Sequence, residues 1–253
     1  VVAAADRRGL PVEELMRCRT RGLPVRDAAM FLEQEAQRID VRVATAGWIA
    51  FGGGFVRGAA FRAAKRCLDV AASLALLVAT LPLTLAVAAL LAAERGGPVF
   101  YRQERVGLDG RPFTLLKFRT MRADAEREGP RWAAARDPRA TRLGRFLRRA
   151  RIDEIPQAIN VLRGDMSFVG PRPERPVFVR ELEALIPFYA ERHRVKPGIT
   201  GWAQVNYPYG ASVEDAREKL AYDLYYAKNA SLLLDLRIIL RTARVVASGA
   251  GAR

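Results

Sequence analysis

Two adjacent carboxylates, Asp153 and Glu154, follow a dense run of arginines in the segment RRARIDEIPQ (148–157). Adjacent acids repel each other, and the nearby cations oppose that repulsion. Consecutive helical residues point about 100° apart, so the two carboxylates would play different parts. One could attack a phosphorus atom and form an acyl phosphate, while the other could hold Mg²⁺. These residues alone are equally compatible with an acidic helix start beside a solvated arginine face.

Two loops rich in glycine and proline could supply further phosphate contacts. GDMSFVGPRP (164–173) sets Arg172 between two prolines, a rigid placement that suits bidentate phosphate binding. RVKPGITGWAQV (194–205) carries Lys196 and Trp202. Taken singly, each segment is better explained as an ordinary surface loop or a hydrophobic plug.

The composition predicts an anionic partner. The 253 residues include 42 Lys and Arg against 27 Asp and Glu, a formal charge of +15, and half of them are apolar. A phospholipid surface or a phosphorylated substrate would fit this balance. Nucleic acid is not expected, because the basic stretches lack interleaved aromatic residues and known motifs. Cys18 and Cys67 lie far apart, which argues against a disulfide framework or zinc site and fits a reducing cytosol.

The uncharged run from residue 70 to residue 93 is the strongest physical signal in the sequence. About 20 apolar residues span a bilayer as a helix, so this run predicts membrane insertion. Pro82 near its middle should kink the helix. Basic residues flank both ends, and the positive-inside rule favours the cytosolic face for both. A bent, re-entrant helix satisfies that rule, but the residues alone equally allow a kinked span.

The residues before this run are typical of the end of an α/β unit. Strands are predicted at 1–5 and 23–27, with one helix that starts at Pro11 and stops at Gly22 and another that Asp27 caps. No GxGxxG motif is present, so no nucleotide cofactor is assigned. The sequence begins at Val1 without a signal peptide, and we expect it to be part of a longer polypeptide.

Residues from 98 onward predict a domain that is soluble or lies on a surface. Residues 99–121 indicate a β-hairpin with a turn at Asp109-Gly110. An amphipathic helix follows, whose apolar stripe comprises Leu143, Phe146, Leu147 and Ala150. Two C-terminal helices are predicted after the caps Ser212 and Ser231, and the pattern of the last helix suits core packing or the bilayer interface.

Several long motifs, taken together, resemble one known family, the monotopic phosphoglycosyl transferases or bacterial sugar transferases of exopolysaccharide assembly. They are KRCLD, the Pro-broken helix, VFYRQERVGLDGRPFTLLKFRTM, RIDEIPQAINVLRGDMSFVGPRP, RVKPGITGWAQVN and YDLYYAKNASLLLDL, within residues 61–247. The resemblance implies an α+β, mostly helical fold. Its parts are a re-entrant membrane helix (70–93) and a cytosolic catalytic domain with a small β-hairpin and interfacial amphipathic helices.

The same resemblance implies the domain order and the activity. Residues 1–50 would be the remnant of a Rossmann-like α/β domain, 51–64 a linker and 65–253 the transferase domain. Such enzymes transfer a sugar 1-phosphate from a UDP-sugar to undecaprenyl phosphate and release UMP, at the cytosolic face of the bacterial inner membrane. Membrane lipid is a further partner, Mg²⁺ is the cofactor, and a homodimer is compatible with the family.

Roles for individual residues also follow from the resemblance. Asp153 would be the nucleophile that carries the phosphosugar, and Glu154 the Mg²⁺ ligand. Arg148 and Asp235 would complete the catalytic set. Substrate or phosphate binding would fall to Arg172, Pro171, Lys117, Arg119, Lys196 and Gln157. The membrane anchor would include Lys65, Arg66, Asp69 and Pro82.

Two departures from the family pattern affect these expectations. Leu81 precedes the helix-breaking proline where many members have Ser, so the bend must rely on another group such as Thr80 or Thr84. Residues 206–210 read NYPYG where many members have Asn-Gly-Arg, which leaves the sugar open.

Two other classes of protein compete with the transferase. A membrane-anchored basic scaffold that binds anionic lipid without catalysis would explain the apolar run and the charge. It would not require Asp153 and Glu154. A lipid phosphatase fits less well, because His193 is the only histidine and is better explained as a packing or loop residue.

Overall fold

The computed structural model describes residues 1–2, 9–42, 44, 54–55, 57–94, 96–127, 129, 137–208, 210 and 212–248. Within these ranges the chain is mostly helical and carries two small two-stranded sheets. The expected helical α+β character and the hairpin are confirmed. The Rossmann-like origin of residues 1–50 and the domain boundaries stay predictions, and most of the strand predicted at 1–5 lies outside the described residues.

The two N-terminal helices form where their capping residues predict. Helix α1 (Val12–Thr20) begins after Pro11 and ends before Gly22, whose φ is 83°. Helix α2 (Ala28–Ala36) is capped by the Asp27 carboxylate, which accepts from the backbone N–H of Met30 at 2.7 Å. The strand predicted at 23–27 is wrong. This segment makes only a single bridge, from Asp27 to Val2, and a strand needs a longer paired ladder.

Residues 33–42 and 44 pack on the C-terminal part of the chain. Ile39 and Val41 are buried in the same cluster as Leu182 and Leu224. The backbone N–H of Ile39 donates to the carbonyl of Ala221 at 2.9 Å. This N-terminal segment therefore shares a hydrophobic core with residues assigned to the transferase domain.

The apolar run forms a bent pair of helices. Helix α3 (Ala59–Ala79) and helix α4 (Leu81–Ala93) meet at an angle of 64°. Among the residues described, no helix is by itself both long and apolar enough to cross a bilayer. The two helices of the bent pair, taken together, have a length and composition that could.

The break lies where Pro82 predicts it. Pro82 occupies the first turn of α4, where a missing N–H costs little. The hydroxyl of Thr80 donates to the carbonyl of Leu76 at 2.7 Å, and that of Thr84 donates to the carbonyl of Leu81 at 2.9 Å. Both threonines proposed from the sequence therefore contact carbonyls beside the bend.

Both ends of the bent pair are attached to the same unit. Near the start of α3, the Arg66 guanidinium donates to the carbonyls of Val161 and Leu162 in helix α6 (Gln157–Arg163). At the end of α4, the Arg119 guanidinium donates to the carbonyl of Leu91 at 2.9 Å. Both ends of the pair are therefore held by residues that follow it in the chain.

The described part of the chain contains two small sheets of two strands each. Strands β1 (Phe100–Val106) and β2 (Pro112–Phe118) are antiparallel, and Asp109 and Gly110 take positive φ in the connecting turn. Strands β3 (Ser167–Val169) and β4 (Gly198–Thr200) form a parallel pair that the sequence does not predict. Gly170 permits this pairing, because a Cβ there would lie 2.2 Å from the Lys196 carbonyl oxygen.

Helices α7 (Pro176–Leu185), α8 (Trp202–Asn206), α9 (Val213–Asn229) and α10 (Leu232–Ser248) complete the chain. Both C-terminal caps are confirmed. Ser212 forms a capping box with Asp215, and the Ser231 hydroxyl accepts from the N–H of Leu234 at 3.2 Å.

Helix α5 (Arg142–Arg149) packs between the bent pair and the turn that carries the predicted acid pair. Its Leu147 is fully buried in a cluster with Leu91, Phe118 and Ile152. The apolar stripe predicted for this helix is narrower than expected, since Phe146 is 60% exposed and Ala150 is exposed too. The cluster covers only the side of α5 that faces α4 and residue 152.

The fold makes a prediction about this cluster. We expect Leu147→Ala to lower the free energy of unfolding by about 2–5 kcal/mol, because it leaves a cavity in a closed cluster. Phe146→Ala, one position earlier on the same helix, should change it by less than about 0.5 kcal/mol. Chemical unfolding of the detergent-solubilised variants measures both values. Equal losses in the two variants would contradict the packing described.

Candidate active site

Asp153 and Glu154 lie in a single 3₁₀ turn, Ile152–Glu154. Arg151, just before it, takes a left-handed conformation with a φ of 59°. Ile152 and Ile155 anchor the turn in the core on either side of the acids. Both carboxylates line a cleft of about 1100 Å³. The tight turn therefore holds two neighbouring acids at one open site.

Glu154 is surrounded by cations. Its Oε1 accepts from Arg172 Nη2 at 2.7 Å and from Lys117 Nζ at 3.1 Å, and its Oε2 lies 3.6 Å from Arg151 Nη1. Burial alone would raise the pKa of Glu154, but the charges of Arg172 and Lys117 outweigh burial and hold this pKa well below its usual range. Glu154 is therefore the more readily ionised acid of the pair.

Asp153 has a different environment from its neighbour. Burial and the negative charge of Glu154 raise the pKa of Asp153 to about 6, although Lys117, Arg172 and Arg148 oppose the rise. Among the described residues, no hydrogen bond or ion pair engages its side chain. Of the two acids, Asp153 is therefore the one without a described partner, and it lines the cleft.

The cleft wall is strongly basic. Arginine and lysine side chains from several elements line it, among them Arg145, Arg148, Arg149, Arg172, Arg175 and Lys219. Apart from Asp153, the acids that line the cleft are paired; Glu126, for example, accepts from both terminal guanidinium nitrogens of Arg175. A groove with excess positive charge attracts polyanions such as a diphosphate.

Five residues proposed from the sequence meet at this cleft: Asp153, Glu154, Lys117, Arg148 and Arg172. Arg119 also borders it, but its guanidinium is engaged by the carbonyls of Leu91 and Gly97 and by Glu94. Pro171 presents its carbonyl to the N–H of Gly198 at 2.9 Å, and Gln157 is buried at the first position of α6.

Asp235 lies in a separate buried network. It is fully buried, with Oδ2 at 2.8 Å from Lys65 Nζ and Oδ1 accepting from the Tyr226 hydroxyl at 2.7 Å. Lys65 also lies 3.4 Å from Asp69, whose Oδ1 accepts from the hydroxyl of Ser167 at 2.9 Å. None of the described contacts of Asp235 involves Asp153 or Glu154.

This network has a structural consequence for the site. Asp69 and Lys65 belong to α3, and their partners include strand β3, which leads directly to the loop that carries Arg172. Burial and the charge of Arg66 lower the pKa of Lys196, although the charge of Asp69 opposes the shift. Residues proposed as a membrane anchor thus hold the bent pair against strand β3 and the loop that follows it.

Sequence reasoning missed two contributors to the site. Arg151 contacts Glu154, and the cluster of arginines before the acids is the signal that could have singled it out. Arg192 donates to the carbonyl of Arg172 and pairs with the buried Asp223. Nothing in the local sequence marks that pair, because the two residues lie 31 positions apart.

The acid pair is compatible with one Mg²⁺ ion. Among the described residues, no cluster of three or more histidines, cysteines and acids is suited to a metal. Mg²⁺, however, often binds through one or two carboxylates and takes its other ligands from water and substrate phosphates. Within the described part of the chain, Glu154 Oε2 has only the 3.6 Å contact with Arg151, so it is the oxygen best placed to serve. The residues therefore fit an ion that binds together with a phosphorylated substrate.

Comparison with known proteins identifies the family. The model of the bacterial sugar transferase family matches residues 60–249, and the chain belongs to this family. The resemblance inferred from the motifs is thereby confirmed.

Named relatives are similar over most of the chain. A protein from Aeromonas hydrophila, a UDP-N-acetylgalactosamine-undecaprenyl-phosphate N-acetylgalactosaminephosphotransferase, is 47% identical over 189 residues, which are 75% of this chain and 45% of the relative. Two UDP-glucose:undecaprenyl-phosphate glucose-1-phosphate transferases also match. The one from Xanthomonas campestris pv. campestris is 46% identical over 76% of this chain and 40% of its own length. The one from Caulobacter vibrioides is 47% identical over 70% and 67%. The chain thus spans less than half of the first two relatives.

His193 lies outside the cleft lining and packs edge-on against Tyr189, with ring centroids 6.3 Å apart. The interpretation of this histidine as a packing residue is therefore confirmed. Burial and the adjacent charge of Arg192 lower the pKa of His193 to about 3. The folded protein thus keeps this imidazole neutral at pH values where an unfolded chain would protonate it.

This pKa shift predicts a pH dependence of stability. Between pH 6.5 and 3 the unfolded state binds the extra proton, so stability falls as the pH drops below about 6.5. At pH 5 the shift amounts to about 2 kcal/mol. We expect His193→Gln to remove this loss, so that the difference in unfolding free energy between variant and wild type changes by that amount from pH 8 to pH 5. Parallel pH profiles in urea unfolding would contradict the assignment.

Proposed function

We propose that this chain transfers a sugar 1-phosphate from a UDP-sugar to undecaprenyl phosphate and releases UMP. The observation that carries the proposal is the acid pair in a basic cleft. Glu154 is hydrogen-bonded to two cations, whereas Asp153 has no described hydrogen bond or ion pair. Membership in the bacterial sugar transferase family and the names of the relatives support the same reaction.

The proposed chemistry has two halves. An Asp153 carboxylate oxygen attacks the phosphorus that bears the sugar, and the bond to the bridging oxygen breaks. UMP leaves with that electron pair, and the enzyme keeps the phosphosugar as an acyl phosphate. An oxygen of undecaprenyl phosphate then attacks the same phosphorus and frees the Asp153 carboxylate. Arg148 and Arg172 would stabilise the charge that develops on the phosphate oxygens.

Glu154 is the residue that would hold Mg²⁺. When bound, the ion would offset the charge of the diphosphate. Lys117 and Arg172 keep Glu154 ionised, which maintains it as an acceptor for cations. Because Glu154 cannot easily be protonated here, it is better suited to this role than Asp153.

A membrane location fits the surface of the bent pair. Leucines and valines that would be buried in most proteins are exposed on both helices, including Leu74, Val78, Leu81, Leu85 and Leu90. Helix α10 exposes a further apolar row, Leu233, Leu236 and Leu240, beside arginines. We propose that the bent pair enters the inner membrane from the cytosolic face and re-emerges there, since both of its ends bind the same unit. A homodimer stays a prediction.

A basic scaffold without catalysis is the second candidate, because the apolar surface and the charge would suit it. It gives no reason for two acids held in a cleft by a strained turn. The names of the relatives differ in the sugar transferred, so the donor would have to be found by offering a panel of UDP-sugars.

The central prediction concerns Asp153. We expect Asp153→Asn to abolish UMP release, at least 10³-fold, because an amide cannot act as the nucleophile. Asp109→Asn in the exposed hairpin turn is the matched control and should keep full activity, since Asn tolerates the same positive φ. UMP is measured with membrane-reconstituted protein, undecaprenyl phosphate and each UDP-sugar in turn. Turnover by Asp153→Asn would refute the nucleophile, and silence of the wild type on every donor would favour the scaffold.

The proposed topology makes a separate prediction. Single cysteines introduced at Arg62, before the bent pair, and at Arg102, after it, should both react with a membrane-impermeant maleimide only from the cytosolic face, once Cys18 and Cys67 are replaced by Ser. Labelling of the two positions from opposite faces would establish a simple span instead.

A further inference from the structure

The backbone of residues 171–174, which carries Arg172, is held at every carbonyl. In chain order the donors are Gly198 N (2.9 Å), Arg192 Nη2 (3.0 Å), Arg105 Nη1 (3.0 Å) and Val106 N (2.9 Å). Two of the four residues are prolines, whose φ is fixed. The Arg172 backbone is therefore immobilised before its side chain reaches Glu154.

Arg192 is the side chain at the centre of this arrangement. It is only 5% exposed, and its donors point into the protein. Nε and Nη2 donate to Asp223 Oδ2 at 3.1 and 2.7 Å, Nη1 donates to the Tyr189 hydroxyl at 2.9 Å, and Nη2 donates to the Arg172 carbonyl. No described contact joins Arg192 to Asp153 or Glu154.

Stability alone explains this buried pair poorly. Removing a guanidinium and a carboxylate from water costs several kcal/mol per ion, which their attraction roughly offsets, so apolar residues of similar volume are often at least as stable. The pair does, however, aim a rigid planar donor at one chosen carbonyl, which a flexible ammonium group cannot reproduce.

We propose that Arg192, oriented by Asp223, is a positioning residue for the reaction: it fixes the Arg172 carbonyl so that the Arg172 side chain faces Glu154 and the phosphate of the donor. This inference rests on the proposed function for its catalytic consequence. Misplacing a substrate-binding group by 1 Å can cost about 10²-fold in rate. The Arg172–Glu154 contact of 2.7 Å leaves little room for such a shift.

The first test is a double-mutant cycle. We expect Arg192→Lys to lower kcat/KM for UMP release by about 10- to 100-fold. Arg194, on the same turn, forms an exposed ion pair with Glu191, and Arg194→Lys should leave kcat/KM unchanged. In an Arg172→Ala background, Arg192→Lys should cost less than about twofold more, because its effect passes through Arg172. Losses that multiply in full would overturn the positioning role, since they would indicate an independent contribution.

The second test does not need turnover. Arg192→Met combined with Asp223→Leu removes both charges together, so the protein should still fold. Amide hydrogen exchange at Gly198 and Val106, which donate to the carbonyls of residues 171 and 174, should rise about tenfold in this variant and stay unchanged in Arg194→Lys. Unchanged exchange at both amides would overturn the inference even in an active enzyme. A wild type that releases no UMP from any donor would instead refute the proposed function, while the exchange result still decides the positioning role.

Discussion

The contact between Glu154 and its two cations, Arg172 and Lys117, is the interaction on which the rest of the site depends. Two buried neighbouring acids cannot both be charged without compensation. The cations settle which acid ionises first, because they pair with Glu154 and leave the Asp153 carboxylate facing the cleft with the higher pKa. The three come from separate parts of the fold: strand β2, the 3₁₀ turn and the loop after β3. Here the tertiary structure brings three charges that are distant in sequence within hydrogen-bond distance.

The bent helix pair is packed against the elements that form this site. Its start is tied through Lys65 and Asp69 to β3, and its end through Arg119 to the residues after the hairpin. Its second helix also packs through Leu91 into the cluster that contains Ile152. An apolar element suited to lipid and a basic cleft suited to phosphate thus share one core. Such a connection would let a lipid-linked phosphate and a water-soluble donor meet at one turn.

Local features of the sequence predicted local structure well. The caps at Asp27 and Ser212, the hairpin turn at Asp109 and the break at Pro82 each depend on residues within a few positions of one another. The sequence could not show the parallel pairing of β3 with β4 or the ion pair between Arg192 and Asp223, which depend on how distant segments meet. The catalytic role that the resemblance implies for Asp235 stays a prediction, and its described contacts are with Lys65 and Tyr226.

The most direct measurement is the location of the sugar phosphate on the protein. The enzyme is incubated with its UDP-sugar in the absence of undecaprenyl phosphate, so that the second half of the reaction cannot proceed, then digested and mapped by mass spectrometry. The proposed mechanism predicts one equivalent of UMP and a phosphosugar on Asp153 alone. A phosphosugar on another side chain, or UMP release that occurs only when the lipid acceptor is present and leaves no modified peptide, would contradict it.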